Sequence, residues 1–211
     1  MQAATRLLVI RHGRTAWNAD GRIQGQQDIP LDAIGCWQAD RLVAALAHES
    51  LQAIYSSDLQ RAWQTAQPLG RHVGVAPALD PGLRERAFGD YEGRTFAEIE
   101  QRWPEAATRW RRREPDFEPG GGESLRVFRQ RTLSAVMRLA QAHAGGCVVL
   151  VTHGGVLDTL YREANGLPFE APRNWEVANA GINRLLHGDQ GLFLVGWGDV
   201  GHLECTRDDL A

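Results

Sequence analysis

Two short apolar runs in this chain end alike. Leu7-Leu8-Val9-Ile10 leads into Arg11-His12-Gly13, and Cys147-Val148-Val149-Leu150-Val151-Thr152 leads into His153-Gly154-Gly155. Each run has the length and β-branched content of a buried parallel strand. Two histidines therefore fall at the C-terminal ends of two expected central strands. Ligand sites in open α/β sheets gather at that edge.

A histidine beside arginines suits chemistry on a phosphate ester. Displacing the alcohol of such an ester needs a nucleophile, cationic donors around the phosphoryl oxygens and an acid for the leaving oxygen. A neutral ring nitrogen of His12 could attack in line and form phosphohistidine. Neighbouring arginine charge would depress its pKa and favour that form. Arginine offers a fork of donors that matches two phosphate oxygens, and Arg11 and Arg61 are the candidates. His153, protonated by the dianion, would add a third cation. Thr15 and Asn18 follow the first strand, where hydroxyl, amide and backbone N–H groups can meet an anion, and Gly154 can offer a backbone N–H.

The elements that must position these residues can be outlined. A helix is expected over residues 32–47 with Asp32 as N-cap, a second over 58–71 with Asp58 as cap, and a long one over 123–144 closed by Gly145-Gly146. Short strands are expected at 53–55 and 76–79, and a late strand pair at 182–186 and 192–197 around a turn at 188–191. Strands alternating with helices indicate one α/β domain over residues 1–211, a three-layer α/β/α sandwich with a mostly parallel central sheet. Residues 94–122 are rich in charge, Pro and Gly. They are expected to be the least regular part, a small insertion over the site.

Composition narrows the function classes. The chain has 211 residues and a formal net charge of −3, which argues against a nucleic-acid-binding body. No apolar run approaches the roughly 20 residues of a membrane span. Leu7 to Ile10 is too short for the core of a signal peptide, so a cytoplasmic protein with no membrane association is expected. Cys36, Cys147 and Cys205 show neither metal spacing nor a disulfide framework, and Cys147 reads as a small core residue. All 23 basic residues are arginine. Lysine chemistry is thereby excluded, and any anion site must use Arg, His and backbone N–H groups. Nothing in the sequence fixes an oligomeric state.

Six blocks, in order, resemble the histidine phosphatase superfamily, the group that includes cofactor-dependent phosphoglycerate mutases. They are Leu7 to Asn18, Gln24 to Leu31, Ser56 to Ala66, Leu83 to Gly93, Pro119 to Ser124 and Val151 to Gly155. The resemblance implies a catalytic core of Arg11, His12, Arg61 and His153, with Glu85 as proton donor. It also implies phosphate contacts from Gln24 and Gly25. Asp90 and Glu92 compete with Glu85 for the acid role. The activity implied is hydrolysis of small-molecule phosphate monoesters, with no metal and no cofactor.

Two other readings stand beside it: a cofactor-dependent phosphoglycerate mutase, and a non-catalytic phosphate-binding module on the same scaffold. In the family's mutases a longer insertion with a lysine and paired arginines retains the bisphosphate. Here the insertion is short and lysine is lacking. Trp110-Arg111-Arg112 resembles part of that mutase segment, while the Gly-Gly-Glu-Ser block resembles the phosphatase branch. The arginines of the 109–113 run could bind a second anionic group or form a solvated face. Trp103 and Trp110 are the tryptophans expected to line a pocket. Activity is expected to fall at high pH as the acid is lost; a rate still rising through about pH 9 would exclude Glu85 as donor.

Overall fold

A computed structural model describes residues 3–204. Cys205 lies outside the described residues. Six strands form one sheet: β1 (Thr5–Arg11), β2 (Ala53–Ser56), β3 (Ala78–Leu79), β4 (Cys147–Thr152), β5 (Ile182–Gly188) and β6 (Gly191–Asp199), in the order β3-β2-β4-β1-β5-β6. β4 is parallel to both β1 and β2, and β3 is parallel to β2. Only β5 is reversed, pairing antiparallel with β1 and β6. The sheet is thus mostly parallel, as its unbroken apolar runs require.

The two-residue period of a strand divides those runs between two layers. Leu7, Val9, Val148 and Leu150 face α6 (Leu125–Gln141) and α7 (Gly154–Ala164). Leu8, Ile10, Val149 and Val151 face α2 (Ala33–Leu46) and α3 (Gln60–Val73). Both faces are covered, which gives the three-layer sandwich. A four-residue helix, α1 (Ala16–Ala19), follows the first strand.

Several boundaries differ from the sequence expectation, each for a local reason. Asp32 does cap α2, accepting from Gly35 N at 2.7 Å. Asp58 does not cap α3: Arg84 takes its carboxylate, and Asp28, distant in sequence, accepts from Gln60 N at 2.7 Å. The long helix starts at Leu125 under a Ser124 cap rather than at Glu123, whose carboxylate instead binds Arg131 and Ala87 N.

The 94–122 segment is more regular than expected. It forms α4 (Phe96–Arg102), opened by a Thr95–Glu98 capping box, and α5 (Pro104–Arg111), with proline in its first turn. Ile99 and Ala107 bury against Tyr91, Phe88 and Trp103 as a core separate from both sheet faces.

Leu150 is fully buried between β1 and β2, whereas Phe193 on β6 is exposed. Leu150→Ala is expected to cost about 2–5 kcal/mol of stability in urea unfolding. Phe193→Ala is expected to stay within about 0.5 kcal/mol of the parent.

Candidate active site

Register sets the site. β1 and β4 pair with Arg11 opposite Thr152, and His12 N donates to Thr152 O at 2.9 Å just past the strand. His12 and His153 are the next residue of each strand, so their rings stand side by side, centroids 5.2 Å apart. Gly13 gives the chain its exit. A Cβ there would lie 2.5 Å from Gly35 O, so the loop after His12 presses directly on the backbone at the start of α2.

The His12 tautomer follows from its partner. Nδ1 lies 2.7 Å from Gly13 O, a group that only accepts, so Nδ1 carries the hydrogen and Nε2 keeps its lone pair. Burial, then the charges of Arg61 and Arg11, push the His12 pKa well below the usual histidine range. His153 is also fully buried, with Nε2 2.8 Å from Ser57 Oγ. Burial comes first and the charges of Arg61, His12 and Arg11 next in lowering its pKa, so it is neutral in the free protein. A cationic His153 would need its proton to arrive with the phosphate dianion.

Arg61, on the first turn of α3, is 0% exposed. Its Nη1 and Nη2 donate to Gln27 O and Gly25 O, both at 2.7 Å, and Nε is buried without a partner. Burial lowers its pKa to about 10, which leaves it charged at neutral pH. The guanidinium therefore ties the 24–27 loop to α3 as well as charging the site. Glu92 ties the same loop from the other side, accepting from Gln26 N and Phe88 N at 3.0 Å each. That bonding makes Glu92 a loop clamp, and Asp90 is exposed. Gln24 is buried with its Oε1 unpartnered.

Arg11 Nη1 donates to Val177 O at 2.6 Å, and its Nε is buried without a partner. Glu85 accepts from Arg86 N at 2.8 Å and from Gly155 N at 3.0 Å. Gly155 is required for this approach, since a Cβ there would sit 2.2 Å from Glu85 Oε1. Gly154 opens α7, where His153 is the N-cap residue but supplies no side-chain cap. First-turn N–H groups and the helix dipole thus face the site edge.

Thr15 and Asn18 form a capping box around α1: Asn18 Oδ1 accepts from Thr15 N at 3.1 Å and from Asn179 Nδ2 at 3.3 Å. These bonds support the loop behind His12.

A cleft of about 360 Å³ opens in front, lined among others by Arg11, Glu85, Arg86, Trp110, Arg113 and Arg173. Of the tryptophans expected at a pocket, Trp110 is there. Trp103 packs instead on Tyr91, ring centroids 5.1 Å apart. Of the arginines in the 109–113 run only Arg113 lines the cleft; Arg109 pairs with Glu114 and Arg111 with Glu100 on the insertion's own surface. Arg86 is buried, with a pKa lowered by that burial to about 10.

Sequence reasoning missed Ser57, Arg86, Arg173 and Asn179. Ser57 and Arg86 lay inside recognisable blocks and could have been weighed. Arg173 and Asn179, which donates to His12 O at 2.9 Å, come from the irregular 165–181 stretch and carried no signal. Among the described residues, no three His, Cys, Asp or Glu side chains come together as metal ligands could. No described helix is long and apolar enough to cross a membrane.

A doubly covered α/β sheet with two neutral, buried histidines, a buried Arg61 and a half-buried Arg11 at one edge is a scaffold for handling an anion at an imidazole. The chain belongs to the histidine phosphatase superfamily (branch 1), whose family model matches residues 7–200. It is 40% identical over 205 residues to phosphoglycerate mutase-like protein 4 of Arabidopsis thaliana, covering 95% of this chain and 87% of that one. It is 36% identical over 202 residues to a metal-independent phosphoserine phosphatase of the same plant, covering 94% and 83%. Among solved structures, phosphoserine phosphatase from Entamoeba histolytica in complex with 3-phosphoglyceric acid superposes with a TM-score of 0.85 at 27% identity, covering 95% of this chain and 100% of that one.

The lowered His12 pKa has a direct reading. A pKa depressed in the folded protein keeps the ring neutral at and above pH 6.5 and charges it only as pH falls through the lower value. Nitrogen-detected NMR of the free protein, from about pH 5 to about pH 8, is expected to show His12 with Nδ1 protonated and Nε2 bare throughout the upper range. A protonation midpoint at or above 6.5 would contradict the site electrostatics described here.

Proposed function

We propose that the chain is a phosphatase that hydrolyses small-molecule phosphate monoesters through a phosphohistidine on His12. The observation that carries this reading is the Nδ1–H to Gly13 O bond, which leaves His12 Nε2 bare in a site charged by Arg61 and Arg11. Nε2 attacks phosphorus in line, and the bond from phosphorus to the alcohol oxygen breaks. Arg11, Arg61 and the first turn of α7 hold the phosphoryl charge, and His153 joins them once the dianion supplies the field to protonate it. Glu85 gives its proton to the departing alkoxide. Water then attacks phosphorus, Glu85 takes a proton from that water, and phosphate leaves with His12 restored.

The cleft favours an ester whose alcohol carries its own acid group. Arg86, Arg113 and Arg173 line it in addition to Arg11, against two carboxylates, Glu85 and Asp158. Asp158 is itself bound by Arg113 at 2.6 Å and Arg162 at 3.0 Å. Positive charge is therefore left over for a carboxylate near the phosphate. Phosphoserine and 3-phosphoglycerate have that form, and they are the compounds named for two of the relatives above. Hydrolysis is favoured over mutase chemistry because a mutase must keep water from the phosphohistidine. Arg111, one of the two arginines of the segment that resembles the mutases, is spent on Glu100 of the insertion. The insertion supplies one wall of the cleft and is proposed as its cover. Free thiols at Cys36 and Cys147 suit a cytoplasmic setting.

Rapid quench with ³²P-labelled phosphoserine is expected to trap an acid-labile, base-stable label on His12. His12→Ala should lose that label and at least about a thousandfold in kcat. Turnover by His12→Ala at the parental rate, or conversion of 3-phosphoglycerate to its 2-isomer without phosphate release, would reject the reading.

A further inference from the structure

The cleft does not end at Arg113. A second compartment of about 190 Å³ lies beyond it, walled by Leu125, Arg129, Thr159, Leu167, Pro168 and Phe169. Arg113, Leu125 and Thr159 line both compartments, so the two share a wall that the Arg113 side chain helps to form. That side chain is fixed: Nε donates to Phe169 O and Nη2 to Asp158 Oδ2, both at 2.6 Å. Its backbone stands at φ +57°, a left-handed conformation that non-glycine residues rarely adopt. The chain thus turns sharply after α5, in the geometry that places the guanidinium between the compartments.

The two compartments differ in chemistry. The inner one is charged. In the outer one the polar groups are already engaged. Arg162 donates to Asp158, Pro168 O and Ala171 O. Thr159 Oγ1 donates to Gly155 O at 3.0 Å, and Arg129 pairs with Glu163. What remains to meet a ligand is mainly Leu125, Leu167, Pro168, Phe169 and the aliphatic stems of three arginines. A sugar placed there would leave its hydroxyls without partners, at a cost for each one desolvated. An apolar group loses nothing. An apolar cavity of about 150 Å³ is enough to hold benzene, so 190 Å³ fits one aromatic ring or a branched aliphatic group.

We infer that the outer compartment is a subsite for a ring-sized apolar group on the alcohol side of the phosphate ester, reached past the Arg113–Asp158 bridge. The substrate class is an acidic phosphate monoester with an apolar branch beside its acid group. The inference rests on the phosphatase reading for the identity of its ligand.

The test compares N-benzoyl-O-phosphoserine with N-acetyl-O-phosphoserine. Both lack the ammonium charge, and they differ only in the ring. In the parent protein kcat/KM is expected to be about tenfold higher for the benzoyl ester, mainly through KM, as burial of one ring would give. Leu167→Trp, which fills the compartment, should bring that ratio close to one; Leu167→Arg serves if the tryptophan variant does not fold. The ratio cancels any general loss of activity in a variant. A parental ratio near one, or a tenfold ratio that survives in the filled variant, overturns the subsite. Calorimetric binding of both esters to His12→Ala gives the same comparison without turnover. Tenfold tighter binding of the benzoyl ester there, with neither ester hydrolysed by the parent, keeps the subsite and rejects the phosphatase. Hydrolysis of both esters with equal affinity does the reverse.

Discussion

The pairing of β1 with β4 is the constraint on which the rest depends. A parallel ladder fixes which residues stand side by side, and a slip of one position would send every side chain to the opposite face. Arg11 against Thr152 is the register that buries Leu7 and Val9 on one face and Leu8 and Ile10 on the other. The same register brings His12 beside His153 as the strands run out. Core packing and histidine placement are therefore one event, and neither can shift without the other.

Burial then decides what these side chains are. Removing a histidine from water penalises its charged form, and two nearby guanidiniums add to that penalty. The arginines keep their own charge in the same surroundings, with backbone carbonyls accepting their hydrogen bonds: Gly25 and Gln27 for Arg61, Val177 for Arg11. A lysine has three donors on a single atom and titrates readily when buried, whereas guanidinium stays protonated and spans several carbonyls at once. An anion site built wholly from arginine thus keeps its charge while the imidazoles beside it stay neutral.

The parts of the fold readable in the sequence were those with strong local signals. Four-residue apolar runs announced β1 and β4, a glycine-bounded turn announced β5 and β6, and Asp32 announced α2. The Arg-His-Gly and His-Gly-Gly endings marked the site edge, and the structure brings His12, His153, Arg11 and Arg61 together there. Other features depended on distant partners. Asp28 caps α3 across the chain, so Asp58 looked like the cap in its place. Glu92 resembled an acid until its carboxylate was seen holding backbone N–H groups of two segments. The glycine pair at 154–155 masks the start of α7, since glycine lowers helix propensity. Proline and charge similarly hid α4 and α5. The 165–181 stretch has no periodicity, yet its backbone and Asn179 lie against β1 and His12.

The insertion packs Ile99 and Ala107 into a small core with Tyr91, Phe88 and Ile23 of the preceding segments, apart from the two layers that hold the sheet. Residues 94–122 give Trp110 and Arg113 to the cleft without contributing to the β1–β4 ladder. Drift in this stretch can reshape what enters the cleft while the imidazole pair and its arginines stay where the sheet puts them. The imidazole pair and the outer wall of the cleft thus rest on separate cores of a single chain.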